Sequence, residues 1–271
     1  MINILSMPDE PQLARGEDMV SGRLPGRPIV LLGVVACLLT TLRAADAGEP
    51  RAVLELFTSQ GCSSCPPADN LVGEFSKDPG VIALTLAIDY WDYLGWKDTL
   101  ALPGHGNRQR AYSRARGDRD VFTPQMVVNG TLQVLGSDKG AIDRAIVQSR
   151  ENASVLSVPM ALSFADNKVN VSAGAGKIAG GRAEVWVCPI RGAVPVEIGR
   201  GENKGRRITY HNVVRQWIKL GDWQGAAASW SMPLQTVKGG GVDRVAVVMQ
   251  SGMASAPGAV LGAAMATLPA Q

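Results

Sequence analysis

Two apolar runs, "AVLELF" (52–57) and "VIALTLA" (81–87), constrain this chain more than any other feature. A strand solvated on one face alternates polar and apolar residues. A near-continuous apolar run is the pattern of a strand buried on both faces, as in a parallel sheet. Between the two runs, "CSSCPPADNLVGEF" (62–75) carries Leu71, Val72 and Phe75 at helical spacing, and "SKDPG" stops it. Pro66 and Pro67 suit a first helical turn, where a missing N–H is no loss. A strand, a helix and a second buried strand at this separation predict a βαβ unit.

Further on, "YWDYLGWKD" (90–98) reads as an aromatic loop and "NRQRAYSRARG" (107–117) as a polar helix ended by Gly117. "PQMVVNGTLQVLG" (124–136) predicts a hairpin about Asn129-Gly130. "SDKGAIDRAIVQSR" (137–150) predicts a helix with Ser137 as its N-cap. After Arg150 the texture changes. Short β-like runs such as "KVNVSAG", "AEVWVCPI" and "VAVVMQ" alternate with Gly-rich turns. They predict a small antiparallel sheet or sandwich, with a domain boundary between residues 152 and 153.

The N-terminus reads as a targeting segment. Arg23 and Arg27 precede an apolar stretch from Ile29 to Leu42, followed by Ala45-Asp46-Ala47. This is the order of a signal peptide over residues 1–47, with the true start at Met19 and a mature chain from Gly48. The expected product is periplasmic or secreted, with no stable membrane insertion after cleavage. A second reading takes "VVAC" as a lipobox that anchors a lipoprotein at Cys37. The formal net charge of +3, with no long run of like charge, argues against a nucleic-acid partner.

An exported chain meets an oxidising compartment, where thiols pair. Beyond residue 47 three cysteines remain, Cys62, Cys65 and Cys188, so one is odd. Cys188, in "VWVCPI", reads as a buried strand residue. A Cys-x-x-Cys can be a redox couple, half of a metal site or a structural staple. His105 and His211 are the chain's histidines, and neither adjoins a cysteine. A tetrahedral site would be two ligands short, so no metal or other cofactor is expected.

"LELFTSQGCSSCPPAD", "IDYWDYLGWKD", "FTPQMVVNG" and "RGENKGRRITYHNVVRQWIKLGDW" together resemble the bacterial secreted family catalogued as domain of unknown function 1223. The resemblance runs from about Ala52 to Leu268. It implies an α/β fold: a thioredoxin-like domain with a helical insertion over residues 48–152, then a small β-rich, sandwich-like region over 153–271. It implies no established activity. By analogy with the wider thioredoxin superfamily, the chain resembles a thiol-disulfide oxidoreductase whose partners are protein thiols or disulfides. A binding module with a structural disulfide and a periplasmic metallochaperone remain as alternatives.

Under that resemblance Cys62 is the nucleophile, beside unpaired N–H groups at a helix N-terminus, and Cys65 resolves the mixed disulfide. Glu55, the charged residue in its apolar strand, is a proton relay for Cys65 or a partner of a cation such as Arg51. Thr123-Pro124 matches the cis-proline that orients a bound substrate backbone. In the aromatic loop, Trp91 and Asp92 border the site, and the other rings form a satellite cluster. "GRGENKGRRITYHN" reads as a solvated, turn-rich hairpin.

Overall fold

The computed structural model describes residues 49–178 and 181–269. The expected signal segment, with Met19, Cys37 and Gly48, lies outside the described residues. Among the described residues no helix is long and apolar enough to cross a membrane.

The predicted βαβ unit is present. Strands β1 (Ala52–Thr58) and β2 (Val81–Ala87) pair in parallel, and every residue of both is buried. Helix α1 (Pro66–Phe75) joins them, starting later than the sequence predicts. A helix reaching back to Cys62 would need N–H groups at positions 66 and 67, where proline has none. Residues 62–65 instead form a turn in which Cys65 N–H donates to Cys62 O at 3.2 Å.

Helix α2 (Pro103–Arg116) ends at Gly117, whose φ of 79° is the left-handed value that favours glycine. Strands β3 (Gln125–Val128) and β4 (Leu132–Leu135) form the hairpin, and β3 lies antiparallel to β1. Helix α3 (Lys139–Ser149) is capped one residue later than expected: Asp138, not Ser137, accepts the Ala141 N–H at 2.9 Å.

The second half contributes β5 (Met160–Ala165), β6 (Lys168–Ala173), β7 (Ala183–Glu197), β8 (Arg207–Val214), β9 (Ile218–Trp223), β10 (Ala228–Pro233), β11 (Arg244–Met253) and β12 (Ala256–Thr267). β5, β6 and β10 make a three-stranded antiparallel sheet. The others join the first half in one mixed nine-stranded sheet, ordered β12-β11-β7-β8-β2-β1-β3-β4 with β9 beside β7. The junction is β2 with β8, where Thr85 faces Val213. It is fastened by Thr85 Oγ1–H to His211 O at 2.6 Å and by Asn212 Nδ2–H to Ala83 O at 2.8 Å.

This corrects the expected fold class. The chain is mostly β, with three α-helices among the described residues. It is not an α/β thioredoxin-like domain with a helical insertion followed by a separate sandwich. The physical reason lies in what covers β1 and β2. Leu54, Leu56 and Ala83 pack under α1 and α3 with Val72, Phe75 and Ile142. The opposite face, with Val53, Phe57, Ile82 and Leu84, is covered by Tyr112 of α2 and by Cys188, Ile190, Val214, Val248 and Val260. Residues from both halves thus share one core.

The sheet curls back on itself: Val260 N–H of β12 donates to Asn129 O in the β3–β4 turn at 3.0 Å. Gly130 has φ of 71°, and a Cβ there would run into Gly258 O. Gly130→Ala should therefore lower the unfolding free energy by roughly 1–3 kcal/mol, from backbone strain and overpacking together. Urea titration checks this. An unchanged midpoint would mean that the turn and β12 separate at no cost.

Candidate functional site

Cys62 and Cys65 form a disulfide with a Cα–Cα distance of 5.4 Å. Cys65 is fully buried and is the N-cap of α1; Cys62 is 4 % exposed. The expected free N–H groups do not reach Cys62. Pro66 and Pro67 have none, and those of Ala68 and Asp69 donate to Cys65 O at 2.9 and 3.1 Å. Ser64 Oγ lies 3.4 Å from Cys62 Sγ. A disulfide sulfur has no proton, so the hydroxyl donates. The same Ser64 Oγ lies 3.5 Å from Thr123 O, so one proton is shared between sulfur and carbonyl.

The Thr123–Pro124 peptide is cis. Through Ser64 the segment adjoins the disulfide, and Thr123 Oγ1 accepts the Trp91 Nε1–H at 2.8 Å. Cys62, Cys65, Thr123, Pro124 and Trp91 are thus brought together. Tyr93 stacks on Trp91 and is otherwise exposed. Asp92 faces inward along its loop and accepts the Asp98 N–H at 3.0 Å. Asp98 in turn accepts the N–H groups of Gln60, Leu100 and Ala101. Trp96 Nε1–H donates to Gln60 Oε1 at 2.8 Å. The aromatic loop braces the segment before Cys62.

Glu55 is neither exposed nor paired with Arg51, which holds Asp78 instead. Successive strand residues point to opposite faces. Leu54 and Leu56 lie under α1, so Glu55 lies on the far face with Val53 and Phe57. There its carboxylate accepts Arg108 Nε–H at 2.5 Å, Arg108 Nη2–H at 2.8 Å and the Tyr112 O–H at 2.6 Å. None of its hydrogen bonds among the described residues goes to a cysteine.

The buried acid on the α1 side is Asp69, one helical turn after Cys65. It is 1 % exposed. Oδ1 accepts the Thr58 O–H at 2.7 Å, while Oδ2 is buried with no hydrogen-bond partner among the described residues. Burial pushes its pKa up to about 8, which the Thr58 bond opposes and the Asp98 carboxyl reinforces. Tyr210 of β8, its hydroxyl also buried and without a hydrogen-bond partner among the described residues, is pushed far up by burial and then by Asp69 and Asp98.

Asn203, in the β7–β8 connection, completes the site. Its Nδ2 donates to Gln60 O at 3.0 Å and to Cys62 O at 2.8 Å, and the residue is buried. The stretch expected to be a solvated hairpin is thus docked on the disulfide loop.

A family model described as protein of unknown function (DUF1223) matches residues 53–250. The chain belongs to the DUF1223 family. No curated protein matches it. A crystal structure of protein AGR_C_4864 from Agrobacterium tumefaciens is similar at 33% identity and a TM-score of 0.72, covering 80% of this chain and 94% of that one. HBP35 of Porphyromonas gingivalis is similar in fold at 12% identity and a TM-score of 0.51, covering 81% of this chain and 76% of that one.

Four side chains of this DUF1223 protein were not among the residues singled out from its sequence. Asp69 had a signal: three residues before Val72, it falls on the buried face of α1 with Ala68 and Phe75. Arg108 and Tyr112, four apart, share a face of α2, but that helix has no apolar stripe to mark the face as buried. Asn203 had none, since its role depends on a contact 141 residues away.

Proposed function

We propose that Cys62 and Cys65 cycle between disulfide and dithiol and exchange with thiols or disulfides of protein partners in an exported compartment. The observation that carries this reading is the position of the disulfide: at the start of α1, with Ser64 Oγ within reach of both Cys62 Sγ and the carbonyl of Thr123. A plain staple needs no polar segment against its sulfur.

In the oxidising direction a partner thiolate attacks Cys62 Sγ. The Cys62–Cys65 bond breaks, Cys65 leaves as a thiolate and takes up a proton. A second partner thiolate then attacks the partner's own sulfur in the mixed disulfide and releases Cys62. Two partner thiols become one disulfide, and the protein's disulfide becomes a dithiol. The reverse sequence reduces a partner. Ser64 donates to Cys62 whenever it carries negative charge, and the α1 dipole acts in the same sense. Asp69 is the buried acid one turn from Cys65 and serves as its proton acceptor and donor.

Thiol trapping across a series of dithiol buffers tests the reading. The pair should titrate as one two-electron couple at a potential above about −300 mV, the region where structural disulfides give way to exchanging ones. Cys62→Ser should abolish exchange, and Cys65→Ser should accumulate mixed disulfide. A pair that stays oxidised well below that potential, with no mixed disulfide in Cys65→Ser, would mean a structural staple.

A further inference from the structure

A cleft of about 580 Å³ runs between α1 and β8. One wall begins next to Cys65 in the chain, the other near a residue bonded to the backbone of Cys62. The α1 wall starts at Pro66, the residue after Cys65, and continues through Glu74 to Lys77. The β8 wall starts at Arg206, three residues after the Asn203 amide that holds Cys62 O, and continues through Arg207 to His211. The cleft thus adjoins the disulfide segment through Pro66 on one side and through the Asn203–Cys62 contact on the other.

The lining charge is unbalanced. Lys77, Arg206 and Arg207 face it with Glu74 as the opposing acid. Arg207 reaches an exposed Glu197 at 3.8 Å, a loose surface contact. Among the described residues Lys77 and Arg206 make no ion pair. The His211 ring packs so close to Gly73 that a Cβ there would meet it. Burial, and after it Lys77 and Arg244, holds its imidazole below the usual range, so the ring adds no positive charge near neutral pH. Exposed cations that are not neutralised by their own fold attract a carboxylate-bearing ligand and raise its encounter rate.

We propose that the cleft between α1 and β8 receives an acidic segment of the protein partner whose cysteines exchange with Cys62–Cys65. The inference rests on the redox reading above and adds to it the chemistry of the partner. Lys77, Arg206 and Arg207 select for carboxylates beside the reacting cysteine. Asn203 positions the selector, because it ties the β7–β8 connection to the backbone of Cys62 itself.

The test uses three peptides that carry the same reduced cysteine pair, flanked by glutamates, by lysines or by serines. The oxidised protein should oxidise the glutamate peptide on the order of tenfold faster than the lysine peptide at low ionic strength. The ratio should shrink toward one at about 1 M salt, where the Debye length is near 3 Å. Arg206→Glu with Arg207→Glu should invert the preference between the glutamate and lysine peptides. Equal rates for all three peptides at low salt would overturn the acidic-partner proposal and leave the redox reading standing. A preference that survives the double charge reversal would overturn the cleft as its source. No exchange with any peptide would overturn both readings.

Discussion

Arg108→Met should lower the unfolding free energy by about 3–5 kcal/mol, the range for removing one partner of a buried ion pair. Arg108 is fixed on every side. Its guanidinium donates to both oxygens of Glu55, and Nη2 also approaches Tyr112 Oη and Gln250 Oε1, each at 2.8 Å. Its flat faces meet the rings of Trp217, 4.1 Å from the centroid, and Tyr112, 4.9 Å away. Burial opposes the charge on Arg108, but the Glu55 carboxylate more than offsets this and holds its pKa above the usual range. Methionine would fill much of the volume and leave Glu55 with the Tyr112 hydroxyl alone. For a domain of this size the loss corresponds to a fall in Tm of roughly 10 °C.

The paired variant Glu55→Leu with Arg108→Met should recover most of the loss, because a well-packed apolar pair often matches a buried ion pair. Thermal unfolding of the variants measures the coupling directly. A single Arg108→Met whose Tm lies within a degree of wild type would show that the network carries no net stability. The network joins β1, α2, β11 and, through Gln250 Nε2–H to Gly258 O, β12. It is therefore also a measure of how firmly the two halves of the sheet are held together.

The sequence was legible where local chemistry decides the outcome. Continuous apolar runs predicted β1 and β2, Asn129-Gly130 predicted the hairpin, and Gly117 the end of α2. The fold class was not legible, because it turns on where β8 docks. Val213 beside Thr85 is a contact 128 residues apart, and nothing in "RITYHNVV" distinguishes a strand that extends the first sheet from one in a sheet of its own. The same limit applies to the site. The cysteines and Thr123-Pro124 stand out in the chain. Asn203 reaches them only through the fold, and Glu55 took its partner from a helix whose polar residues gave no sign of a buried face. Alternation along β1 separates Glu55 from α1 once Leu54 and Leu56 are known to lie beneath it, and burial does the rest.

Asp69→Asn should make the protein more stable at neutral pH and slower in disulfide exchange. In the folded chain the Asp69 carboxyl keeps its proton up to about pH 8, whereas the unfolded value is 3.8. Between those values folding takes up one proton, so stability is fully present below pH 3.8 and is lost as pH rises toward 8. The slope is about 1.4 kcal/mol per pH unit, or about 4 kcal/mol by pH 7. His105 acts in the opposite sense. Buried and held neutral down to about pH 4 against 6.5 unfolded, it adds stability as pH rises through that window. The two effects oppose each other below pH 6.5, and the Asp69 slope stands clear above it. Asparagine keeps the oxygen that accepts the Thr58 hydroxyl and does not titrate. Any cost of burying its amide is independent of pH, so the difference between variant and wild type isolates the carboxyl. That difference should grow by roughly 3–4 kcal/mol in favour of the variant between pH 5 and pH 8, measured by urea unfolding. The same carboxyl can give or take a proton near neutral pH. Opening or closing the disulfide moves one at Cys65, one turn from Asp69, so Asp69→Asn should slow exchange most where the wild-type carboxyl is half ionised, near pH 8. Exchange that is unchanged across pH 6–9, alongside the gain in stability, would leave Asp69 a destabilising core residue with no part in the chemistry. A pH-independent stability difference would show that the buried carboxyl does not hold its proton at all.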